Sequence, residues 1–406
     1  MVRTIVSIDV GTTKICTLVG EVSEKGDLRI VGVGVVPSRG LRKGVVVNAS
    51  QVTEAIAASV EKAEHISGYK IQSAFVGVSG GHISGINSRG VVAITRKDRG
   101  ICQEDVERTL EAARAIAIPH DKQIIHTIPR RFTVDGQDGV RDPVGLQAFR
   151  LEAEAHIVTG SSSSIANLVR CVQGAGVEID DLVLAPLAAG EAVLTESERE
   201  MGVVLADMGG GTTDIAIFIE GSIWHTIVLS TGGIHLTSDV AIGLRMPFTA
   251  AEEVKIRYGH ALSSAIHPEE SLEIIAFGGN GRQAVSRQAL CEILEARAEE
   301  ILTLILQEIK RSGYDGLLPA GVVLCGGAAR LAGLKELGQE ILGLPVRVGA
   351  PHDLEGLVDI LHSPAYATSV GLLLWGMREG QARLHREHKN GFRGELIRWL
   401  RAFLPG

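Results

Sequence analysis

The chain has 406 residues, with hydrophobic residues at 45% and charged residues at 22%, the balance of a folded protein with room for about two to three domain-sized units. A formal net charge of −8 excludes a general nucleic-acid binder, which needs an excess of lysine and arginine to neutralise phosphates. No run of about 18 apolar residues occurs, which excludes a membrane-spanning helix. The five cysteines (Cys16, Cys102, Cys171, Cys291, Cys325) form no C-x-x-C pair, and the amino-terminal "MVRTIVSIDVG" enters a strand and not a signal peptide, so a reducing cytosol is expected.

The first element is a strand that runs into "DVGTTKI" and resumes as a strand, the pattern of a hairpin with a glycine turn. Further on, Gly77-Val78-Ser79-Gly80-Gly81 satisfies the G-x-S-x-G pattern of a nucleophile elbow. An elbow requires a helix after the serine, whereas "HISGINSRGVVAI" reads as turns and another strand, so a serine hydrolase is set aside. "GSSSSIANL" reads as a loop and helix start, with Ser161 to Ser164 offering cap hydroxyls. "LAPLAAGEAVL" (Leu184 to Leu194) is a helix candidate.

Residues 205 to 217, "LADMGGGTTDIAI", repeat the opening grammar. Asp9-x-Gly11 followed by Thr12-Thr13-x-Ile15 matches Asp207-x-Gly209 followed, after Gly210 and Gly211, by Thr212-Thr213-x-Ile215, and the two aspartates stand 198 positions apart. Neither copy is a P-loop or a dinucleotide fingerprint, because no lysine motif and no following helix accompanies it. An ordinary glycine hairpin explains either copy alone. Two matched copies, each preceded by an aspartate, suggest two related domains whose hairpin tips face each other across a cleft. Backbone N–H groups and threonine hydroxyls would hold β- and γ-phosphates there. Asp9 and Asp207 would share a hydrated Mg²⁺, which needs only one or two carboxylates. Lys14 adds either a charge near the phosphates or a solvated surface group, and Asp214 closes the second loop.

Three later segments complete the expected site and its surroundings. "AEEVKIRYG" puts Glu252 and Lys255 one helical turn apart, where they either bracket a ribose or base or form an i,i+3 ion pair. "SRQALCEILEARAEEILTLILQEIKRSG" (Ser286 to Gly313) is a long helix candidate with a core face of Leu290, Ile293, Leu294, Ile301, Leu304 and Ile305. "VVLCGGAARLAGL" reads as a buried strand, a Gly326-Gly327 turn and a helix, suited, with Ala328 and Arg330, to backbone approach against an adenosine.

After the core-like run "YATSVGLLLWGM" comes a polar stretch from Arg378 to Asn390, containing an "HREH" that lacks further metal ligands. The tail "GFRGELIRWLRAFLPG" then places Phe392, Leu396, Trp399, Leu400, Phe403 and Leu404 on one helical face, with Arg393, Arg398 and Arg401 largely on the other. Such a helix reaches roughly 20 Å, short of the ~30 Å hydrocarbon core. It is expected to lie in the interface of an anionic membrane, tethered by the polar stretch, in preference to docking on the protein's own core.

These segments resemble the superfamily of actin, sugar kinases and heat-shock chaperones, and most closely the FtsA family of bacterial cell-division proteins. The two phosphate loops and "CGGAARLAGL" carry the superfamily likeness. "GVSGGHISGINSRGVVAI", "TESEREMGVVLADMGGGTTDIAIF" and the amphipathic tail carry the likeness to FtsA, over nearly the whole chain. The resemblance implies an α/β fold: an actin-like, ribonuclease-H-like duplicated two-domain architecture with an FtsA-type insert and a C-terminal amphipathic helix. It implies subdomain 1A at 1–81, 161–195 and 365–385, 1C at 82–160, 2A at 196–238 and 301–364, 2B at 239–300, and a tether with membrane helix at 386–406. It further implies an ATP- and Mg²⁺-binding protein that polymerises and joins the FtsZ ring to the inner face of the cytoplasmic membrane at the septum. Subdomain 1C would serve filament contacts and later division proteins. The FtsZ C-terminal peptide would dock on 2B, where Arg282, Arg287 and Arg297 are candidate partners for its acidic groups. Efficient hydrolases of the superfamily carry Glu or Gln at the place of Ala185, before Pro186, so at most slow ATP hydrolysis is expected and no catalytic residue is assigned. Two alternatives stay open at this point: an actin-like pilus-assembly protein and a sugar-kinase-type phosphotransferase.

Overall fold

A computed structural model describes residues 3–23, 26–95, 99–277 and 282–378. The expected tether and membrane helix, with Phe392, Arg393, Leu396, Arg398, Trp399, Leu400, Arg401, Phe403 and Leu404, lie outside the described residues.

The internal repeat of the sequence is a repeat of topology. In the first half, the strand Arg3–Val10 pairs antiparallel with Lys14–Val22, which pairs antiparallel with Leu28–Pro37. On its other edge Arg3–Val10 runs parallel to Ser73–Val78, and that strand parallel to Glu178–Leu184. In the second half, Val203–Met208 plays the part of the first strand. It pairs antiparallel with Thr213–Ile219, which pairs with Ser222–Leu229, and on its other edge it runs parallel to Val322–Cys325 and then Val346–Val348. Both central strands are buried at their middles, Ile5 to Ile8 in the first and Val203–Met208 throughout in the second, as strands at the centre of a covered sheet are. Ile8, Ile15 and Leu18 anchor one core, and Val204, Ala206, Ile215 and Leu324 the other.

Between Ser73–Val78 and Glu178–Leu184 the chain leaves the first sheet. It builds a separate antiparallel sheet in the order Ser84–Ala93, Arg150–Ser161, Lys122–Val134, Gln137–Val140. The helix Gln103–Arg114 covers that sheet over a small core of Ile101, Val106, Phe132 and Leu151. As the serine-rich spelling suggested, the helix Ser162–Gly174 is capped by Ser161, whose hydroxyl accepts from the Ser164 N–H.

The long helix spans Arg287–Ser312, with Ser286 as its N-cap and Gly313 in the left-handed conformation that ends it. It serves two cores. Leu290 and Leu294 join a cluster with Leu236, Val240 and Leu272, while Ala298, Ile301, Leu302 and Ile305 pack under the second sheet. Its buried face therefore includes Cys291, Ala298, Leu302 and Ile309, and the expected Ile293 and Leu304 are only partly covered. After Val322–Cys325 the chain makes a single 3₁₀ turn, Ala328–Arg330, and the α-helix starts only at Leu334. Gly333, at φ +78, interrupts the helix that the sequence suggested. Residues 367–378 are helical and return Val370, Leu372 and Leu373 to the first core.

Candidate functional site

Each central hairpin is closed by the same bond. The Gly11 N–H donates to the Lys14 carbonyl at 3.0 Å, and the Gly209 N–H to the Thr212 carbonyl at 2.9 Å. A Cβ on Gly11 would stand 2.8 Å from the Lys14 oxygen, so only glycine makes that turn without displacing backbone. The two tips meet: a Cβ on Gly210 would come within 1.9 Å of Thr13 Oγ1, and one on Gly211 within 2.9 Å of Thr12 Oγ1. Among the described residues, the N–H groups of Thr12, Thr13, Gly210 and Gly211 donate to no other protein group. Unmatched N–H groups on two tips this close together suit an anion.

Behind the tips stand three carboxylates. Asp9 accepts from Ser369 Oγ at 2.7 Å, and Asp207 from Thr368 Oγ1 at 2.6 Å. Asp214, opposite Asp207 in the hairpin register, accepts from Ser79 Oγ at 2.6 Å and from Thr212 Oγ1 at 3.0 Å. Asp207 is 8% exposed and Asp214 3%. Burial pushes the Asp207 carboxyl up to about 6, with the Thr368 hydrogen bond opposing and the Asp9 charge adding to the rise. Burial and then the neighbouring Asp207 push Asp214 up to about 7. Removal from water leaves the charge of these carboxylates poorly compensated, which is why both are raised.

Lys14 is partly buried and has protein partners. Its ammonium donates to the Ala365 carbonyl, lies 4.0 Å from Asp9 Oδ2 and stands over the Tyr366 ring at 4.4 Å. Burial raises the Tyr366 phenol, while the charges of Lys14 and the exposed Arg330 oppose that rise. Gly326, at φ +85, lies so close that a Cβ would meet Asp207 Oδ1 at 2.4 Å. Gly327 is open, with no atom nearer to its Cβ position than Ala365 Cβ at 4.0 Å. Gly233 connects the remaining candidates: its Cβ position is 3.4 Å from Ala328 Cβ, 3.6 Å from the Gly209 oxygen and 4.0 Å from Lys255 Nζ. Glu252 and Lys255 form the i,i+3 ion pair at 2.7 Å, and the lysine also donates to Thr237 Oγ1 at 2.9 Å. The phosphate loops, the Gly326-Gly327 turn and the Glu252–Lys255 pair thus share one cleft.

Three residues of that cleft escaped the sequence analysis. Thr368 and Ser369 sat unnoticed in a run read as core, although a polar pair heading an apolar helix was the signal. Ser79 was seen only as the centre of a hydrolase motif. Ala185 is buried, and the parallel pairing of Leu184 with Val78 sets it level with Ser79. Away from the cleft, Arg287 binds Glu270 at 2.6 Å, and Arg297 grips both oxygens of Asp239 at 2.5 and 3.1 Å. Residue Arg282 opens the strand Arg282–Ser286.

Two sheets of one topology, joined at matched hairpins and interrupted by an inserted sheet, define an actin-like ATPase fold. Solved structures of similar shape agree. A chain of the "PilM-PilN type IV pilus biogenesis complex" aligns over 92% of this chain and 98% of its own, with TM-score 0.64 and 18% identity. MreB5 of Spiroplasma citri bound to AMPPNP aligns over 96% and 99%, with TM-score 0.56 and 14% identity. At such identities the likeness concerns the fold alone.

Sequence comparison is more specific, and by it the chain belongs to the FtsA family of cell-division proteins. The family model "Cell division protein FtsA" matches residues 204–371, and "SHS2 domain inserted in FTSA" matches residues 80–159. "Cell division protein FtsA" of Pseudomonas aeruginosa is 46% identical over 93% of this chain and 90% of its own length. Its counterpart in Neisseria meningitidis is 40% identical over 98% of each, and that of Bacillus subtilis 40% identical over 93% and 84%. The pilus-assembly alternative gives way to this family, since its likeness stops at the fold.

Proposed function

We propose that this chain is an ATP-binding, actin-like division protein that polymerises on the inner face of the cytoplasmic membrane, ties the FtsZ ring to it and helps recruit later division proteins. The observation that carries the reading is the grouping of Asp9, Asp207 and Asp214 behind two hairpin tips in which, among the described residues, the N–H groups of Thr12, Thr13, Gly210 and Gly211 have no protein partner. Asp9 and Asp207 would hold a hydrated Mg²⁺, and the tips at Gly11, Thr12, Thr13 and at Gly209 to Thr213 the β- and γ-phosphates. Gly326, Gly327, Ala328 and Arg330, with Glu252 and Lys255, would frame the nucleoside. A Mg²⁺ held by Asp9 and Asp207 would supply charge neutralisation.

Ala185 has no group with which to orient water, so any hydrolysis is slow, and nucleotide acts mainly as the ligand that closes the two halves for assembly. In this reading the subdomains follow the expected order of 1A, inserted 1C, 2A and 2B, with 386–406 as tether and anchor. The acidic FtsZ tail would compete with Glu270 for Arg287 and with Asp239 for Arg297, beside Arg282. Among the described residues no helix is long and apolar enough to cross a membrane, and attachment falls to the tail.

Liposome flotation tests the whole reading. The full chain should float with anionic vesicles and carry an FtsZ C-terminal peptide with it in the presence of ATP and Mg²⁺. A chain ending at Asn390 should stay in the dense fraction. Equal flotation of both would refute the anchor, and a peptide left behind by floating protein would refute the tether.

A further inference from the structure

The motif Gly77-Val78-Ser79-Gly80-Gly81 has no place in hydrolase chemistry, yet its serine is built into the cleft. Ser79 directly follows the strand Ser73–Val78 of the first sheet and stands one residue before the stretch that matches the inserted domain. Its Oγ donates to Asp214 Oδ1 at 2.6 Å and lies 3.3 Å from Thr212 Oγ1, both on the hairpin of the second sheet. Thr212 Oγ1 in turn donates to the other oxygen of Asp214 at 3.0 Å. The second phosphate loop is therefore fixed by a hydroxyl that the opposite half of the molecule supplies.

The same spot touches the first phosphate loop. The Gly44 N–H donates to Thr12 Oγ1 at 3.2 Å, and a Cβ on Gly44 would stand 2.8 Å from both the Ser79 backbone carbonyl oxygen and the Gly80 Cα. Gly44 has φ +75, and Gly80 has φ +136, backbone conformations that glycine supplies without strain. Thr12, Gly44, Ser79, Asp214 and Thr212 form one continuous line of contacts from tip to tip, passing the root of the insert.

We propose that Ser79 is a positioning residue of the nucleotide site. Through Asp214 and Thr212 it holds the second phosphate loop in its phosphate-receiving shape, and only while the two halves are closed. The inference deepens the nucleotide reading and rests on it. A charge-assisted hydrogen bond between the halves is formed in the closed cleft and absent in the open one, so it favours closure, and closure favours phosphate. The ligand it serves is a nucleoside di- or triphosphate and not a monophosphate, since it acts on the loop that meets the distal phosphates.

The test measures affinity of the full-length protein for ATP, ADP and AMP with Mg²⁺ by isothermal titration, alongside the melting temperature without nucleotide. Ser79→Ala should weaken ATP by about tenfold, the scale of one lost charge-assisted bond, and leave AMP unchanged. Ser79→Thr, which keeps the hydroxyl, should restore ATP binding. In an Asp214→Asn background, Ser79→Ala should weaken ATP by much less than it does alone, because the partner is already altered. Equal losses for ATP and AMP, or a full additional loss in the Asp214→Asn background, would overturn the positioning role. Unchanged ATP affinity in Ser79→Ala would overturn it while leaving the nucleotide reading intact. A wild-type chain that binds none of the three overturns both.

Discussion

The hydroxyl of Thr368 lies 2.6 Å from Asp207 Oδ2, although 161 residues separate them in sequence. Its neighbour Ser369 makes the matching contact with Asp9 at 2.7 Å. Two consecutive residues on one helix thereby hold the equivalent aspartates of two different sheets. The helix behind them is locked into the first core by Val370, Leu372 and Leu373. Asp207 is thus held against a part of the first half, and its position reports whether the halves are together.

Removing that hydroxyl isolates its contribution. Thr368→Val keeps the shape and leaves a buried carboxylate one donor short, which costs about 1–3 kcal/mol. Chemical unfolding should show that loss, and Thr368→Ser should recover most of it. Affinity for ATP should fall more with Mg²⁺ than without it if, as proposed, Asp207 holds the cation. A loss independent of Mg²⁺ would separate Asp207 from metal binding.

Gly210→Ala tests the contact of the tips. Its Cβ would approach Thr13 Oγ1 to 1.9 Å, so either Thr13 rotates away or the tips part. The loop is on the surface of the cleft and not in a core, and stability should change by less than about 1 kcal/mol. ATP affinity should fall by at least about tenfold (~1.4 kcal/mol). Unchanged ATP affinity in this variant would clear the contact of the tips of a part in phosphate binding.

The hairpins and their pairing were legible because the signal is local and stated twice: Asp-x-Gly with paired threonines, 198 residues apart. The topology of each sheet follows from what such a hairpin must do with its two free edges. The hydroxyl partners were not legible. Ser79, Thr368 and Ser369 gain meaning only from which strand end or helix start reaches the cleft, and that depends on packing over hundreds of residues. The 3₁₀ turn at Ala328–Arg330 was missed for the opposite reason. "AARLAGL" has good helix formers, and the Gly333 interruption overrides their local preference. Arg287 and Arg297 were legible as cations on a helix, while their carboxylate partners Glu270 and Asp239 come from other segments.

Acid should weaken the contact between the inserted sheet and the second half through His156. The ring is 1% exposed, with Nδ1 2.6 Å from Asn87 Oδ1 and Nε2 2.9 Å from Thr226 Oγ1. Burial, then the charges of His225 and Arg130, lower its pKa to about 3. A lowered histidine stays neutral in the folded protein while the unfolded chain takes up protons below about pH 6.5, so stability falls as pH falls. The limiting slope for one such group is about 1.4 kcal/mol per pH unit. Buried Asp207 and Asp214 act with the opposite sign over the same range, because their raised carboxyls bind protons in the folded state. The informative quantity is therefore the difference between wild type and His156→Gln, measured by urea unfolding at pH 7 and pH 5. The variant should lose less stability than wild type on acidification, and parallel losses would clear His156 of the effect.

Arg130 and Trp224 belong to the same contact. The guanidinium of Arg130, in the inserted sheet, stands 4.0 Å over the ring of Trp224, on the outer strand of the second sheet. Tyr314 meets the same indole edge-on at 5.5 Å, and Asn87 Nδ2 donates to the Trp224 carbonyl at 3.2 Å. A partly desolvated cation–π pair contributes about 1–2 kcal/mol. Arg130→Met keeps most of the aliphatic cover and removes the charge, so a double-mutant cycle with Trp224→Leu should give a coupling near ~1 kcal/mol. The chain that follows this strand passes through Thr231, whose carbonyl accepts from Thr213 Oγ1 at 2.9 Å, to the helix start at Gly233 and Ile234, which donate to the Gly209 and Gly210 carbonyls. Loosening the insert at Arg130 should therefore also raise amide exchange in residues 222–229, and do so less when nucleotide is bound. Unchanged exchange there, despite a measurable coupling, would confine the Arg130–Trp224 pair to a local stabilising role.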